Sequence, residues 1–207
     1  MWGLVQDGSI TKIINKPKGL VIGDVRHSRK IFELWSEEEL NNIGLYSVIF
    51  DNSNKRDEEY YINTNQSFNF ADGVITASYG SATPKLLEDR NETNEDGSPM
   101  LDADGNQVVT KGLKSQKKEN IKNQASGLLE PTDWHNHKAL DDDSYTIPAN
   151  IKTYRSDLRT KSNEMETAID NANDVDALAT LYKYVNIGTE ENPVMEKPLG
   201  EFPTLEV

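Results

Sequence analysis

The spacing of apolar residues changes near Lys111. Before it, short apolar runs are separated by dipeptides such as Asp7-Gly8, Gly23-Asp24 and Asp72-Gly73; after it, through residue 185, apolar residues recur every three or four positions. A period of two belongs to strands and one of about three and a half to helices. One chain carrying both in succession is predicted to be α+β. The expected order is an N-terminal small antiparallel β module over 1–85, an acidic linker or exposed hairpin over 86–110, a three- or four-helix module over 111–185 and an extended C-terminal tail over 186–207.

Within the first module, three hairpins are expected at those dipeptides, because Asp-Gly and Gly-Asp tolerate the positive φ that tight hairpin turns require. Between them, Ser36-Glu37-Glu38-Glu39 fits a capping box that opens one short helix, Gly44 suits the left-handed residue that closes it, and Leu45 to Phe50 resumes as a strand. Over 86–110 seven acids face only Arg90. If that stretch is a hairpin, Asp104-Gly105 is its turn, with Met100-Leu101 and Val108-Val109 as arms.

The helical stripe begins with Leu113, Ile121, Ala125 and Leu128 and stops at Pro131, after which Thr132 is placed to cap a second short helix. Pro148 suits the first position of a third helix, whose Ile151, Tyr154, Leu158, Met165 and Ile169 share one face. Asp174 is placed to cap a last helix carrying Leu178, Leu181 and Tyr182.

Charge and residue content narrow the functional classes. Thirty-five acidic residues against 22 basic ones leave a net charge of -13, a surface that repels nucleic acid and anionic membranes. The absence of cysteine removes disulfides, thiolate metal sites and a cysteine nucleophile. No basic apolar leader and no apolar run of membrane-spanning length occurs, so the chain is expected to stay in the cytoplasm where it is made.

The candidate chemistry is thin. His135-Asn136-His137 with Asp133 and Asp141 to Asp143 suggests a metal or nuclease site, but two histidines at i and i+2 on a helix point about 200° apart. Surface histidines are the expected reading. Asp102-Ala103-Asp104-Gly105-Asn106 resembles the start of a calcium loop, yet its glycine sits at the fourth position and no acid closes the twelfth, so a plain turn is expected. No Gly-x-Ser-x-Gly elbow, Walker loop or dinucleotide fingerprint is present. The expectation is a non-enzymatic protein without a cofactor. Lys111, Lys114, Lys117, Lys118 and Lys122 read as an ion-pair face, with the preceding acids as partners.

A more specific pattern runs through residues 121–159: Ile121-x-x-Gln124-Ala125-x-x-Leu128-Leu129-x-x-Thr132-Asp133-Trp134, then Ile147-Pro148-x-x-Ile151-x-x-Tyr154-Arg155-x-x-Leu158-Arg159. It resembles the C-terminal part of the tail fibre assembly family of tailed bacteriophages and related tail proteins. In that family a helix ending in paired leucines leads to a Thr-Asp-Trp turn, and a second helix begins with a proline and carries Tyr-Arg-x-x-Leu-Arg. The chain departs from the pattern in its acidic Asp141-Asp142-Asp143 and its longer tail. A weaker likeness joins Met1 to Val5, Ile31 to Ser36, Glu38 to Leu40 and Ile43-Gly44 to the openings of marine phage tail proteins.

The resemblance implies a tail or fibre-associated protein, retained in the virion tail or acting as an assembly chaperone, whose partners are other tail or fibre proteins in a homo-oligomer or hetero-assembly. A capsid decoration or neck protein is the alternative. In physical terms, Trp134 is expected to bury against Tyr154 and Leu158, and Asp133 to pair with Arg155 or Arg159. The tail holds five acids and three prolines; its spaced Val194, Leu199, Phe202 and Leu205 suggest that it lies extended along a neighbour, its own sheet or another subunit, and it is expected to dock on a partner through them.

Overall fold

The structure is a computed structural model, and it describes residues 1–205. The chain is α+β and divides after Thr83 into two compact units.

In the first unit, β1 (Trp2–Gln6) and β2 (Ser9–Ile14) meet through Asp7-Gly8, both at positive φ (50° and 73°). β3 (Leu20–Ile22) and β4 (Val25–His27) form a separate two-stranded ribbon. Two short helices follow where the sequence suggests one: α1 (Ile31–Leu34) and α2 (Glu37–Asn42). α2 opens with a full capping box, in which the Glu39 amide donates to the Ser36 hydroxyl (3.2 Å) and the Ser36 amide to the Glu39 carboxylate (2.7 Å). The Ser36 amide, and after it the Ser36 hydroxyl, donating to the Glu39 carboxylate hold it below its ordinary range. Gly44, at φ 82°, turns the chain into β5 (Leu45–Asp51). After β6 (Tyr61–Ile62), β7 (Ser67–Ala71) and β8 (Val74–Ser78) form the third Asp-Gly hairpin.

The main sheet has the order β2-β1-β5-β8-β7. Its ladders are antiparallel except at β5 and β8, which run parallel. All five strands send side chains into one cluster, with Val5, Val48, Ile75 and Ala77 buried beside Ile10, Tyr46, Phe68 and Phe70, so the sheet curls around them. A Cβ on Gly3 would lie 2.3 Å from Ile75 Cδ1, so a larger residue at that inner position requires the Ile75 side chain to shift. The opposite face packs Leu4, Ile14 and Leu45, with Leu20 of the β3-β4 ribbon, against Ile31 and Leu40 of the two helices.

The second unit opens at Pro84, the last residue of β9 (Thr83–Pro84). Of the two readings of residues 86–110, the hairpin is the one present, and it is doubled. β10 (Arg90–Asn91) pairs with β11 (Val109–Thr110), while Thr93 bridges Pro99 and Leu101 bridges Gln107. The Gln107 amide donates to the Glu92 (2.7 Å), Met100 (3.1 Å) and Val108 (2.9 Å) carbonyls, tying the three segments of this arm together.

α3 (Leu113–Leu129), a 3₁₀ turn (Glu130–Thr132), α4 (Asp133–Asp141), α5 (Ala149–Asp170) and α6 (Val175–Leu181) follow. Pro148 stands at the N-cap of α5, one position earlier than expected. Ile151, Tyr154, Leu158, Met165 and Ile169 are all buried along α5. Asp174 caps α6 by accepting from the Ala177 amide (2.7 Å). α3 and α5 run antiparallel, since Lys118 near the start of α3 pairs with Asp170 at the end of α5 (2.7 Å), whereas Arg155 near the start of α5 reaches Leu129.

The tail is not extended throughout. β12 (Val185–Asn186) and β13 (Met195–Glu196) form a hairpin, and the Asn186 side-chain oxygen accepts from the Gly188 and Val194 amides (2.9 Å each) across its loop. The chain then returns to the helices, where the Leu199 amide donates to the Leu181 carbonyl (3.0 Å). Leu199 is buried, and Phe202 and Leu205 pack on Ala125, Tyr154 and Leu158. The expectation that these three residues dock a partner is therefore corrected: Leu199 is buried within the chain, and Phe202 and Leu205 are partly buried there against its helices.

Candidate functional site

The residues of the leucine, Thr-Asp-Trp and Tyr-Arg pattern converge where α3 ends. The last carbonyls of a helix lack intrahelical partners and must find donors elsewhere. Tyr154 donates its hydroxyl to the Leu128 carbonyl (3.3 Å), and Arg155 Nη1 donates to the Leu129 carbonyl (3.0 Å). Leu129 also accepts from the Thr132 hydroxyl (2.7 Å), which in turn accepts a short bond from Arg155 Nη1. Arg155 Nη2 completes the set by pairing with the Asp133 carboxylate at 2.7 Å. One planar guanidinium thus binds the end of α3, the 3₁₀ turn and the start of α4. Leu158 beside it is fully buried, while Arg159 donates back to the Arg155 carbonyl (3.1 Å) and takes no part in the Asp133 pair.

Three expectations at this site are corrected. Thr132 does not cap α4 through its side chain, because its hydroxyl points back to Leu129. Trp134 is 53% exposed and is not packed on Tyr154 or Leu158. His135, expected at the surface, instead takes the inward position, 9% exposed, with the Trp134 ring stacked on it at 3.8 Å between centroids. His135 Nδ1 forms a short bond with the Tyr145 hydroxyl, and the Lys138 ammonium lies 4.3 Å from the centroid of the Tyr145 ring. This aromatic group fixes the acidic turn after α4 to the helix, a role that the spacing of His135 and Tyr145 does not signal.

His137 is exposed on the same helix, so the two histidines diverge rather than share a ligand. Among the described residues no three His, Asp or Glu side chains gather as a metal site needs. Asp102, the first residue of the calcium-like stretch, spends its carboxylate on the Asp104 and Asn106 amides (2.9 Å each), which hold it below the ordinary carboxylate range.

The lysine face is occupied from within. Lys114 donates to the Asp170 carbonyl (2.9 Å) and pairs with Glu88; Lys118 pairs with Asp170 (2.7 Å), Lys122 with Glu166 (3.2 Å) and Lys111 with Glu119 (2.8 Å). Lys117 is buried with its ammonium 4.3 Å from the centroid of the Tyr182 ring. Beside it lies a cavity of about 210 Å³, lined in part by Ile121, Gln124, Leu199 and Phe202. The apolar side chains left outward in this unit include Leu140 on α4 and Tyr184, Ile187, Val194 and Met195 on the tail hairpin. Of the four tail residues expected to dock, only Val194 is on that exposed surface.

No helix among the described residues is long and apolar enough to cross a membrane. Comparison with protein-family models, with curated proteins and with solved structures finds no match.

Proposed function

We propose that this chain is a non-enzymatic structural or assembly protein of a tailed bacteriophage that acts through protein contacts at the tail or its fibres. The reading rests on the cap at the end of α3. The residues through which the chain resembles the tail fibre assembly family, Leu128, Leu129, Thr132, Asp133, Tyr154 and Arg155, are joined by hydrogen bonds into one structural device. A pattern spent on building a helical scaffold leaves recognition to exposed surfaces, and the outward apolar residues of the tail hairpin are of the kind that protein partners cover. The strong negative charge favours protein partners over nucleic acid.

Mass spectrometry of purified virions, with copy number, tests the proposal. Presence at a multiple of three or six supports a fibre or baseplate position. Hundreds of copies would move the protein to the capsid, the alternative reading, and absence from virions combined with binding to nascent fibre protein would make it a chaperone. Absence from both would overturn the proposal.

A further inference from the structure

Between residues 12 and 30 six basic residues, Lys12, Lys16, Lys18, Arg26, Arg29 and Lys30, face one acid, Asp24, in a chain of net charge -13. All six are exposed, and only Arg29 makes an ion pair among the described residues, with Glu33 at 3.0 Å. This contrasts with α3, whose lysines are engaged. Apolar side chains are exposed in the same segment: Val21 lies opposite Arg26 on the β3-β4 ribbon and is 61% exposed, and Val25 at its turn and Leu34 on α1 are also outward.

The tail hairpin is the complement. Residues 184–196 hold Glu190, Glu191 and Glu196 and no basic residue. These acids are exposed and without ion pairs among the described residues, while Ile187 is 61% exposed and Tyr184, Val194 and Met195 are outward beside them. The β3-β4 ribbon together with its flanking residues Lys18, Arg29 and Lys30 is cationic and apolar, the tail hairpin is anionic and apolar, and each leaves charges and aliphatic side chains uncovered.

We propose that the occupant of the β3-β4 ribbon is the tail hairpin of a second copy of this chain, giving a head-to-tail contact. Opposite fields steer the two surfaces together, and the aliphatic residues are buried between them. A contact between two different patches of the same protein closes into a ring or grows into a filament, unlike a two-fold dimer. The contact does not depend on the tail role: virion proteomics tests that role, and association of the purified chain tests this one.

Sedimentation velocity of the full chain, across concentration at low and high salt, reads the association. One variant reverses the ribbon (Lys18→Glu, Arg26→Glu, Lys30→Glu) and another reverses the hairpin (Glu190→Lys, Glu191→Lys, Glu196→Lys). All six positions are exposed, and unchanged circular dichroism confirms folding before comparison. The wild-type chain should associate at low salt and weaken at high salt, and each variant alone should lose about tenfold or more in affinity. An equimolar mixture of the two variants should recover association, since the reversed ribbon of one then meets the reversed hairpin of the other. A wild-type chain that stays monomeric, single variants that associate as well as the wild type, or a mixture that fails to recover would each overturn the proposal.

Discussion

Arg155 and Leu129, 26 positions apart in sequence, are joined by a hydrogen bond of 3.0 Å from the guanidinium to the last carbonyl of α3. The arginine side chain is 8% exposed, whereas its ionic partner Asp133 is 48% exposed. Arg155 is therefore chiefly a donor to buried oxygens, and the salt bridge is its solvated side. Replacing Arg155 by Met should destabilise the helical unit by roughly 2 to 4 kcal/mol, because buried acceptors lose a charged donor. Asp133→Asn should cost about 1 kcal/mol or less, as half-exposed pairs contribute little. Urea unfolding followed by hydrogen exchange in α3 and α5 distinguishes the two; equal effects would show that the ion pair dominates.

Neighbouring Trp134 and His135 are expected to behave in the opposite order to their sizes. Trp134→Ala removes a half-exposed ring and should cost about 1 kcal/mol, well below the roughly 3 to 5 for a buried aromatic. His135→Ala removes the buried member and its bond to Tyr145, and should cost about 2 kcal/mol while speeding amide exchange over residues 142–147. Thermal melts of both variants and of Tyr145→Phe check this ordering.

The C-terminal strap should stabilise the helices directly. Truncation after Val185 removes buried Leu199 and uncovers Ala125, Tyr154 and Leu158, so the helical unit should lose roughly 3 to 5 kcal/mol, at about 1.5 to 3 for each well-buried side chain. Leu199→Ala alone should reproduce about 2 kcal/mol or more of that loss. A truncated chain that melts like the full one would show that the strap is not packed in solution.

The arm over 90–110 should loosen in acid before the helices do. Hydrogen bonds hold the carboxyls below their ordinary values: Asp89 (from the Gly112 amide first), Glu92 (from Thr110), Asp96 (from Ser98) and Asp102 (from Asn106). A lowered folded value means stability that is complete above the unfolded value, 3.8 for Asp and 4.5 for Glu, and is lost as pH falls through the lower folded one. Nuclear magnetic resonance across that acid range should show the arm amides changing first, with α5 unaffected until lower pH.

The hairpins were legible because their signal is local. Asp7-Gly8 and Asp72-Gly73 carry the positive φ that the turns need, and the neighbouring strands must then pair. The stripe from Ile151 to Ile169 was legible for a similar reason, since helical spacing places it on one face. The parallel pairing of β5 with β8 depends on how a chain segment of some twenty residues returns, which no residue between them states. Which of Trp134 and His135 faces inward was equally hidden. The 3₁₀ turn at Glu130–Thr132 sets the direction in which α4 leaves, and a tighter turn of three residues shifts the phase of everything after it. The tail was misread because Leu199, Phe202 and Leu205 show that a surface is needed but not whose surface it is.

The lysines near the start of α3 have a consequence for how the helices depend on each other. Cations at a helix N-terminus oppose its dipole, whereas the same cations favour the C-terminus of another helix. Lys114, in the first turn, is misplaced for α3, while Lys114 and Lys118 are both well placed for α5, whose last carbonyl and carboxylate at Asp170 they bind. A peptide of α3 alone would carry the penalty without the compensation and, as a single short helix in water, would remain mostly unstructured. α3 and α5 therefore support each other: the charge that weakens one helix as an isolated segment is compensated only when the other is packed against it.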